Sequence, residues 1–389
     1  MNMRVESPGV RPLSSADILQ RAAALSPLLA ESASECDAIG RLPDHVMVAL
    51  RDAGVFRIAF PASLGGPEMS LADQVRLIAT LSEANPSVGW NVMILADSGY
   101  FAGRFEPSAA RAIWPDLDMA TAAVRNPPAR AQRVEGGYRL TGRFAFVSGV
   151  HNADRISLPC HRYDGDQPAL ASDGSPELHI AFPSMRDVKI EDSWDTIGLR
   201  GTGSNRISVI DAFIPDQHIV PHSDAPVLSA PPLSRYVNLM YVNQLGVALG
   251  GTRALLLATQ KRIATKFTPD RRPLKEHYRT QVEIPHAWGL YQAACAYVYK
   301  TAAAADEKIF ANQPLPPELF AQVIAMSVIA PMLCRQAVDI ALDLAATDQI
   351  FRATGLDKLY ADLRVAMTHV VHRRDWLSKA TAWLDAPPT

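Results

Sequence analysis

The stretch Trp194–Pro215, WDTIGLRGTGSNRISVIDAFIP, limits the fold of this chain more than any other. Gly198, Gly201 and Gly203 fall within six residues and are followed by Ile207, Val209 and Phe213, which mark a strand running into Pro215. Glycine supplies the backbone angles of a tight turn, and the β-branched residues after it favour an extended strand, so the stretch reads as a turn feeding a strand. A dinucleotide-binding glycine motif has the opposite order, because it must follow a strand and open a helix whose N-terminus meets pyrophosphate. A β region is therefore expected here, and no NAD(P)H motif is present.

The segments on either side are helical in pattern. Residues 15–54 carry apolar side chains at helical spacing, with Pro43 at a first turn and Gly54 after the last periodic residue, as expected of helix ends. Ser70 is placed to cap LADQVRLIATLSEANPS, and Gly89-Trp90 opens an apolar segment that runs to Tyr100. From Met119 to about Pro221 the pattern changes to short β-rich runs bounded by Gly, Pro, Asn and Asp, which indicates a small barrel or sandwich. After the Pro-rich APVLSAPPLS the chain turns helical again, with four long Ala-rich helices, the last read as LDKLYADLRVAMTHVVHRRDWLSKATAWL, suited to antiparallel packing in a bundle. The spacing thus predicts a mostly α, α+β chain with helices over 1–117, strands over 118–223 and a four-helix bundle over 224–389.

Composition narrows the class of partner. At 389 residues, 48% hydrophobic and 20% charged, the chain is long enough for two or three domains and a sizeable core. A formal net charge of −2 gives no basic field for nucleic acid or an anionic membrane, so a small molecule is the expected partner. Cys36, Cys160, Cys295 and Cys334 show no C-x-x-C spacing, which suggests neither a metal site nor a disulfide framework and fits a reducing cytoplasm. The N-terminal residues lack an apolar leader core, and no run of about 18 apolar residues is read as a membrane span.

Two motifs carry a resemblance. GLRGTGS followed by a strand ending in Ile-Pro resembles the middle domain of the acyl-CoA dehydrogenase superfamily. Residues 126–154, NPPARAQRVEGGYRLTGRFAFVSGVHNAD, resemble the pattern of the oxygenase components of two-component, group D flavin monooxygenases, which share that fold. The resemblance extends in order over roughly residues 40–372. It implies an N-terminal helical domain, a middle β-barrel or sandwich and a C-terminal four-helix bundle, assembled as a homotetramer. It also implies reduced flavin, FAD ahead of FMN, delivered by a separate NAD(P)H:flavin reductase. With dioxygen this forms a C4a-hydroperoxyflavin that hydroxylates a phenol- or indole-type aromatic.

The same resemblance assigns residues. Ser148, after the strand Phe144–Val147, matches the serine that holds the proton on flavin N5, although a serine before Gly149 is also an ordinary turn residue. His369, seven positions beyond Asp362, matches the histidine that orients or deprotonates the aromatic substrate, and an unperturbed histidine pKa near 6.5 suits that task. The alternative is a solvent-facing helix histidine, as also for His372. Thr121 and Ala123 match the strand beside the isoalloxazine, Phe146 and Trp194 match flanking aromatics, and Thr202 and Ser204 match contacts to the cofactor phosphates or ribityl chain through hydroxyl and backbone donors, though each is equally readable as a satisfied turn residue. Dehydrogenases of the superfamily place a glutamate base where Val370 stands, so an acyl-CoA dehydrogenase would lack its base. A flavin-free assembly protein that keeps the fold is a third reading. Departures include Ala361 for an arginine, Ala129 for a glycine, Phe144 for a tryptophan, and Asp97-Ser98 where some members carry a histidine.

Overall fold

The computed structural model describes residues 13–385 except 223, 224 and 269, so the N-terminal stretch read above for a leader falls largely outside it. The first helices are α1 (Ser15–Ala24), α2 (Ser26–Glu31), α3 (Ala33–Ile39), α4 (Asp44–Ala53), α5 (Leu71–Ala84), α6 (Pro86–Ala96), α7 (Gly99–Ala102) and α8 (Pro107–Ile113). The single amphipathic helix expected near the start is broken into α1, α2 and α3. Pro27, in the first turn of α2, has no N–H to continue the ladder of α1. Ser70 caps α5 as expected, accepting from Asp73 N, and α4 stops at Gly54 in the left-handed conformation that glycine tolerates.

The strands are β1 (Thr121–Ala123), β2 (Ala129–Val134), β3 (Gly137–Val147), β4 (Arg155–Asp164), β5 (Gln167–Pro168), β6 (Leu178–Ala181), β7 (Val188–Glu191), β8 (Asn205–Pro215) and β9 (Ile219–Pro221). They form one mixed sheet in the order β7-β8-β3-β2-β4-β6-β9, with β1 and β5 also paired to β4. β1 and β2 run parallel to β4, in the registers Thr121↔Arg155 and Ala129↔Cys160, and the other pairs are antiparallel. The strand expected from the glycine-rich stretch is β8, and its turn is a short 3-10 helix, Arg200–Thr202.

The C-terminal part contains α9 (Pro232–Arg235), α10 (Leu245–Ile263), α11 (Tyr278–Phe310), α12 (Pro317–Ala345), α13 (Leu356–Ala366) and α14 (Ala382–Asp385). α10 packs against α11, α12 and α13, and α11 lies along α12. The last long helix read from the sequence is cut at Ala366, after which Val370–His372 and Arg374–Lys379 form 3-10 turns. The segment Pro317–Ile350, which contains α12, is long and apolar enough by composition to cross a membrane, contrary to the sequence reading, but over half of that window is buried inside the molecule.

Two apolar cores meet on the N-terminal helices. One joins Ile18, Leu50, Phe56 and Val92 to Leu140, Ile156 and Val209 of the sheet; the other joins Val75, Tyr100 and Phe101 to Leu249, Val298 and Ile324 of the bundle. α5 serves both, Leu77 and Ile78 facing the sheet side and Val75 the bundle. Its backbone lies so close to α10 that a Cβ at Gly246 or Gly250 would strike the carbonyls of Val75 or Ala79. Asp306 of α11 fixes the same contact by accepting from Leu71 N (2.7 Å) and Ala72 N (3.0 Å) at the start of α5. Sheet, α5–α6 and bundle are thereby held in one stack, with the end of β3 facing the end of α13 across α6.

Candidate functional site

β3 does not end as a plain strand. Its register with β8 shifts between Phe144 and Val147, and Phe146 takes φ +62°, so the bulge turns Phe146 outward to 72% exposure and Ser148 inward to 4%. Gly149 N then donates to Thr202 O (2.8 Å), tying the end of β3 to the glycine-rich turn. That turn is anchored from three sides. Leu199 N donates to Asp362 of α13 (2.6 Å), Asn91 Nδ2 of α6 donates to Gly201 O (3.0 Å), and Asn205 Oδ1 receives Ser193 N and Trp194 N (2.8 and 2.9 Å). Gly198 passes so close to Ala361 that a Cβ would meet its backbone, which is why the turn needs glycine there. Asp362 is held in turn by Lys358 (2.9 Å), which also reaches Asp37 (2.7 Å). Burial raises the Asp362 carboxyl pKa, opposed chiefly by the lysine.

Inside this frame lies a row of hydroxyls. Trp90 Nε1 donates to Ser148 Oγ (3.0 Å), Ser148 Oγ is 2.8 Å from Ser204 Oγ, Ser204 Oγ is 2.8 Å from Thr202 Oγ1, and Thr202 Oγ1 donates to Leu199 O (2.8 Å). Trp194 Nε1 donates to the same carbonyl (2.9 Å), and its ring meets Phe146 edge-on at 6.1 Å. The structure therefore gathers Phe146, Ser148, Trp194, Thr202 and Ser204. The Thr202 and Ser204 hydroxyls bond within the turn, as satisfied turn residues do. Both are buried, and they turn inward toward the polar groups that the turn itself buries. Thr121 is also engaged, its hydroxyl accepting from Trp114 Nε1 (3.1 Å), while Ala123 lies buried at the end of β1. α6 packs against both β1 and the Arg200–Thr202 turn, which places β1 beside the row.

His369 also packs on Trp90, the two rings 5.7 Å apart and tilted by 69°. It is neither on a helix nor turned to solvent, since it precedes the Val370–His372 turn and its Nδ1 is buried with no hydrogen-bond partner among the described residues. Burial pushes its pKa down to about 4, so the ordinary value near 6.5 expected from the sequence does not hold and the ring is neutral at pH 7. His372 is fully buried, 6.2 Å from His369, and its Nδ1 lies 2.7 Å from Ser327 O; burial takes it to about 3. That contact makes His372 a packed, backbone-tethered residue.

A second polar cluster sits two helical turns beyond Trp90 and on the same side of α6. Asp97 is buried, accepts from Asn243 Nδ2 (3.0 Å) and has Arg125 as its charged neighbour; burial lifts its pKa to about 7 against both influences. Arg125 stacks over the Phe101 ring at 5.2 Å. Ser98 Oγ, Asn243 Oδ1 and Arg125 Nη1 are buried with no hydrogen-bond partner among the described residues. Trp90, Asp362, Arg125 and Asn243 had no site role in the sequence reading. The only available signal for Trp90 was its place in the Gly89-Trp90 motif, and the others come from segments remote in sequence.

The acyl-CoA dehydrogenase N-terminal domain matches residues 22–102 and the acyl-CoA dehydrogenase C-terminal domain matches residues 244–374, together more than half of the chain. The chain belongs to the acyl-CoA dehydrogenase superfamily. Within it, the chain is 26% identical over 369 residues to the flavin-dependent monooxygenase oxygenase subunit HsaA of Rhodococcus jostii, covering 91% of this chain and 94% of that one. It is 27% identical over 340 residues to indole-3-acetate monooxygenase of Pseudomonas putida, covering 86% and 85%. The solved structure of XiaF from Streptomyces in complex with FADH2 and glycerol superposes with a TM-score of 0.86 at 23% identity, over 96% and 97% of the two chains. For a superfamily member the position of Val370 is telling. It is half-exposed beside His369 and carries no ionisable group, where dehydrogenases of the resemblance noted above place a carboxylate base.

Proposed function

We propose that this chain is the oxygenase component of a two-component flavin-dependent monooxygenase. In this reading it takes reduced flavin, FAD ahead of FMN, from a separate NAD(P)H:flavin reductase and, with dioxygen, hydroxylates a small phenol- or indole-type aromatic. The observation that carries the reading is that one indole, Trp90, contacts both Ser148 and His369, with valine at the dehydrogenase base position. The printed names of HsaA and indole-3-acetate monooxygenase support the same chemistry.

The residues fit a reduced flavin. Phe146 and Trp194 offer aromatic edges to a flat apolar ring, and Ser148, when it donates to Ser204, has an oxygen lone pair left after its two contacts. When bound, the flavin supplies with dioxygen the electrophilic oxygen atom that no side chain can supply. The protein's part is positional. Ser148 holds the proton on N5, and the neutral imidazole of His369 accepts a hydrogen bond from a substrate O–H or N–H through a ring nitrogen, making the aromatic ring more electron-rich. Trp90, in contact with both, fixes the two groups relative to one another. Asp97, Arg125, Asn243 and Ser98 supply polar atoms at a distance from the hydroxyl row for the remaining polar groups of the substrate.

The test is anaerobic titration with reduced FAD and FMN, followed by addition of labelled dioxygen and a panel of phenols and indoles. Label in a hydroxylated product supports the reading; tight flavin binding with acyl-CoA oxidation and no labelled product would replace it by the dehydrogenase. The same reading includes a homotetramer built through the bundle, supported by exposed Tyr278, Val282, Ile350 and Phe351. Light scattering that finds only monomer at micromolar concentration would remove the tetramer.

A further inference from the structure

We propose that Thr202 and Ser204 are positioning residues that set the direction of hydrogen bonding at Ser148, and that the site thereby prefers reduced over oxidised flavin. The inference rests on the flavin reading above and adds to it a basis for selecting the redox state. It follows from counting protons along the row.

The indole N–H of Trp90 can only donate, and the carbonyl of Leu199 can only accept. Each hydroxyl between them has one hydrogen. With Thr202 donating to Leu199 O, Thr202 can only accept from Ser204; Ser204 has then used its hydrogen and can only accept from Ser148. Ser148 accepts from Trp90 and donates to Ser204, so toward a further ligand it has a lone pair and no proton. Reduced flavin presents N5–H, a donor, which matches. Oxidised flavin presents a bare N5, an acceptor, which does not.

The row can be reversed, with Thr202 donating to Ser204, Ser204 to Ser148 and Ser148 to an acceptor. That arrangement gives up the Thr202–Leu199 bond, whose carbonyl stays satisfied by Trp194 Nε1 and Thr202 N. The two directions thus differ by one buried hydrogen bond in favour of a donating ligand. All three hydroxyls are buried, so water does not offset the difference. Thr202 therefore controls the polarity of Ser148 without touching it.

The experiment measures dissociation constants for reduced and oxidised flavin, anaerobically, in the full-length protein and three variants. Wild type should bind the reduced form more tightly. Thr202→Val keeps the volume but removes the terminal donor. Ser204 then has only Ser148 to donate to, and the preference for reduced flavin should fall about tenfold, equivalent to about 30 mV in the midpoint potential of the bound two-electron couple. Thr202→Ser restores the hydroxyl and should keep the ratio within about twofold of wild type. Ser204→Ala, which strips Ser148 of its acceptor, should lower the ratio as Thr202→Val does and stands in if the valine variant fails to fold. A folded Thr202→Val or Ser204→Ala protein with an unchanged ratio overturns the inference and leaves the flavin reading intact. A wild-type protein that binds neither form removes both.

Discussion

The hydroxyl row at the end of β3 and the polar cluster at the end of α6 are both buried, but they differ in how their polar atoms are satisfied. In the row, each oxygen has a partner within 3.0 Å and the turn that carries it is pinned by Asp362, Asn91 and Asn205. In the cluster around Asp97, and at His369, several polar atoms have no partner among the described residues. Buried polar groups in folded proteins are nearly always hydrogen-bonded, to protein or to ordered water, so the unpaired atoms here are the ones left open to water or a ligand. The completed row is a fixed piece of machinery that fits a cofactor common to many relatives. The incomplete cluster is where this chain's own substrate would be recognised.

The contrast is broken most severely at His369. His369→Asn keeps a hydrogen-bonding group of smaller size but removes a ring nitrogen that can take a proton, and general acid–base contributions run to about 10²–10⁴-fold. Product formation should fall by that order while reduced-flavin affinity stays within about twofold. Single-turnover product yield and flavin titration measure the two separately. An unchanged product rate would move the substrate-activating role away from His369 and toward the Asp97–Arg125 cluster.

Asp362 tests the other side. Its carboxylate accepts from Leu199 N and Lys358 in a buried setting, and removing one partner of such a group commonly costs about 3 kcal/mol. Asp362→Ala should lower the urea midpoint accordingly and loosen the turn that carries Thr202 and Ser204. A loss below about 0.5 kcal/mol would mean that the turn holds its shape without α13.

Asp97 makes the comparison depend on pH. Its folded pKa, raised to about 7 by burial, lies above the ordinary carboxyl value, so its contribution is fully present below about pH 4 and is lost as pH rises through 7. His369 and His372, lowered to about 4 and 3, act in the opposite sense: their contribution is present above about pH 6.5 and is lost as pH falls through those values. Asp97→Asn removes the first slope only. Relative to wild type the variant should gain about 4 kcal/mol between pH 4 and pH 8, read from urea unfolding at both. A relative loss over that range would show that Arg125 outweighs burial and holds the carboxyl below its usual value.

Much of this was legible in the sequence because it is local. The glycine turn into β8, the cap at Ser70 and the serine after β3 are set by neighbouring residues, and all three stand where their local chemistry puts them. The parts that were not legible depend on residues far apart in the chain. Asp362 meets Leu199 across 163 positions, Asn243 meets Asp97 across 146, and Trp90 meets Ser148 across 58. No periodicity encodes such meetings. The turn that Thr202 bonds into is pinned at Leu199 N by Asp362 of α13, and the helix ending at Ala366 stops where helical spacing in the sequence continued.

The smallest effect is the sharpest check on the comparison itself, and it concerns Ser98. Its hydroxyl is buried and has no hydrogen-bond partner among the described residues. Replacing a satisfied buried hydroxyl removes a bond and strands the other partner, at about 1–3 kcal/mol; replacing an unsatisfied one removes only the penalty. Ser98→Ala should therefore change stability by less than about 0.5 kcal/mol, or raise it slightly, whereas Ser148→Ala, which strands Trp90 Nε1 and Ser204, should lose about 1–2 kcal/mol. Matched urea titrations of the two serine variants decide the point. Equal losses would mean that the α6 cluster is as completely paired as the β3 row, and the argument that it waits for a substrate would fail. A silent Ser98→Ala in unfolding, together with a weakened affinity for the aromatic substrate, would place that hydroxyl among the groups the ligand completes.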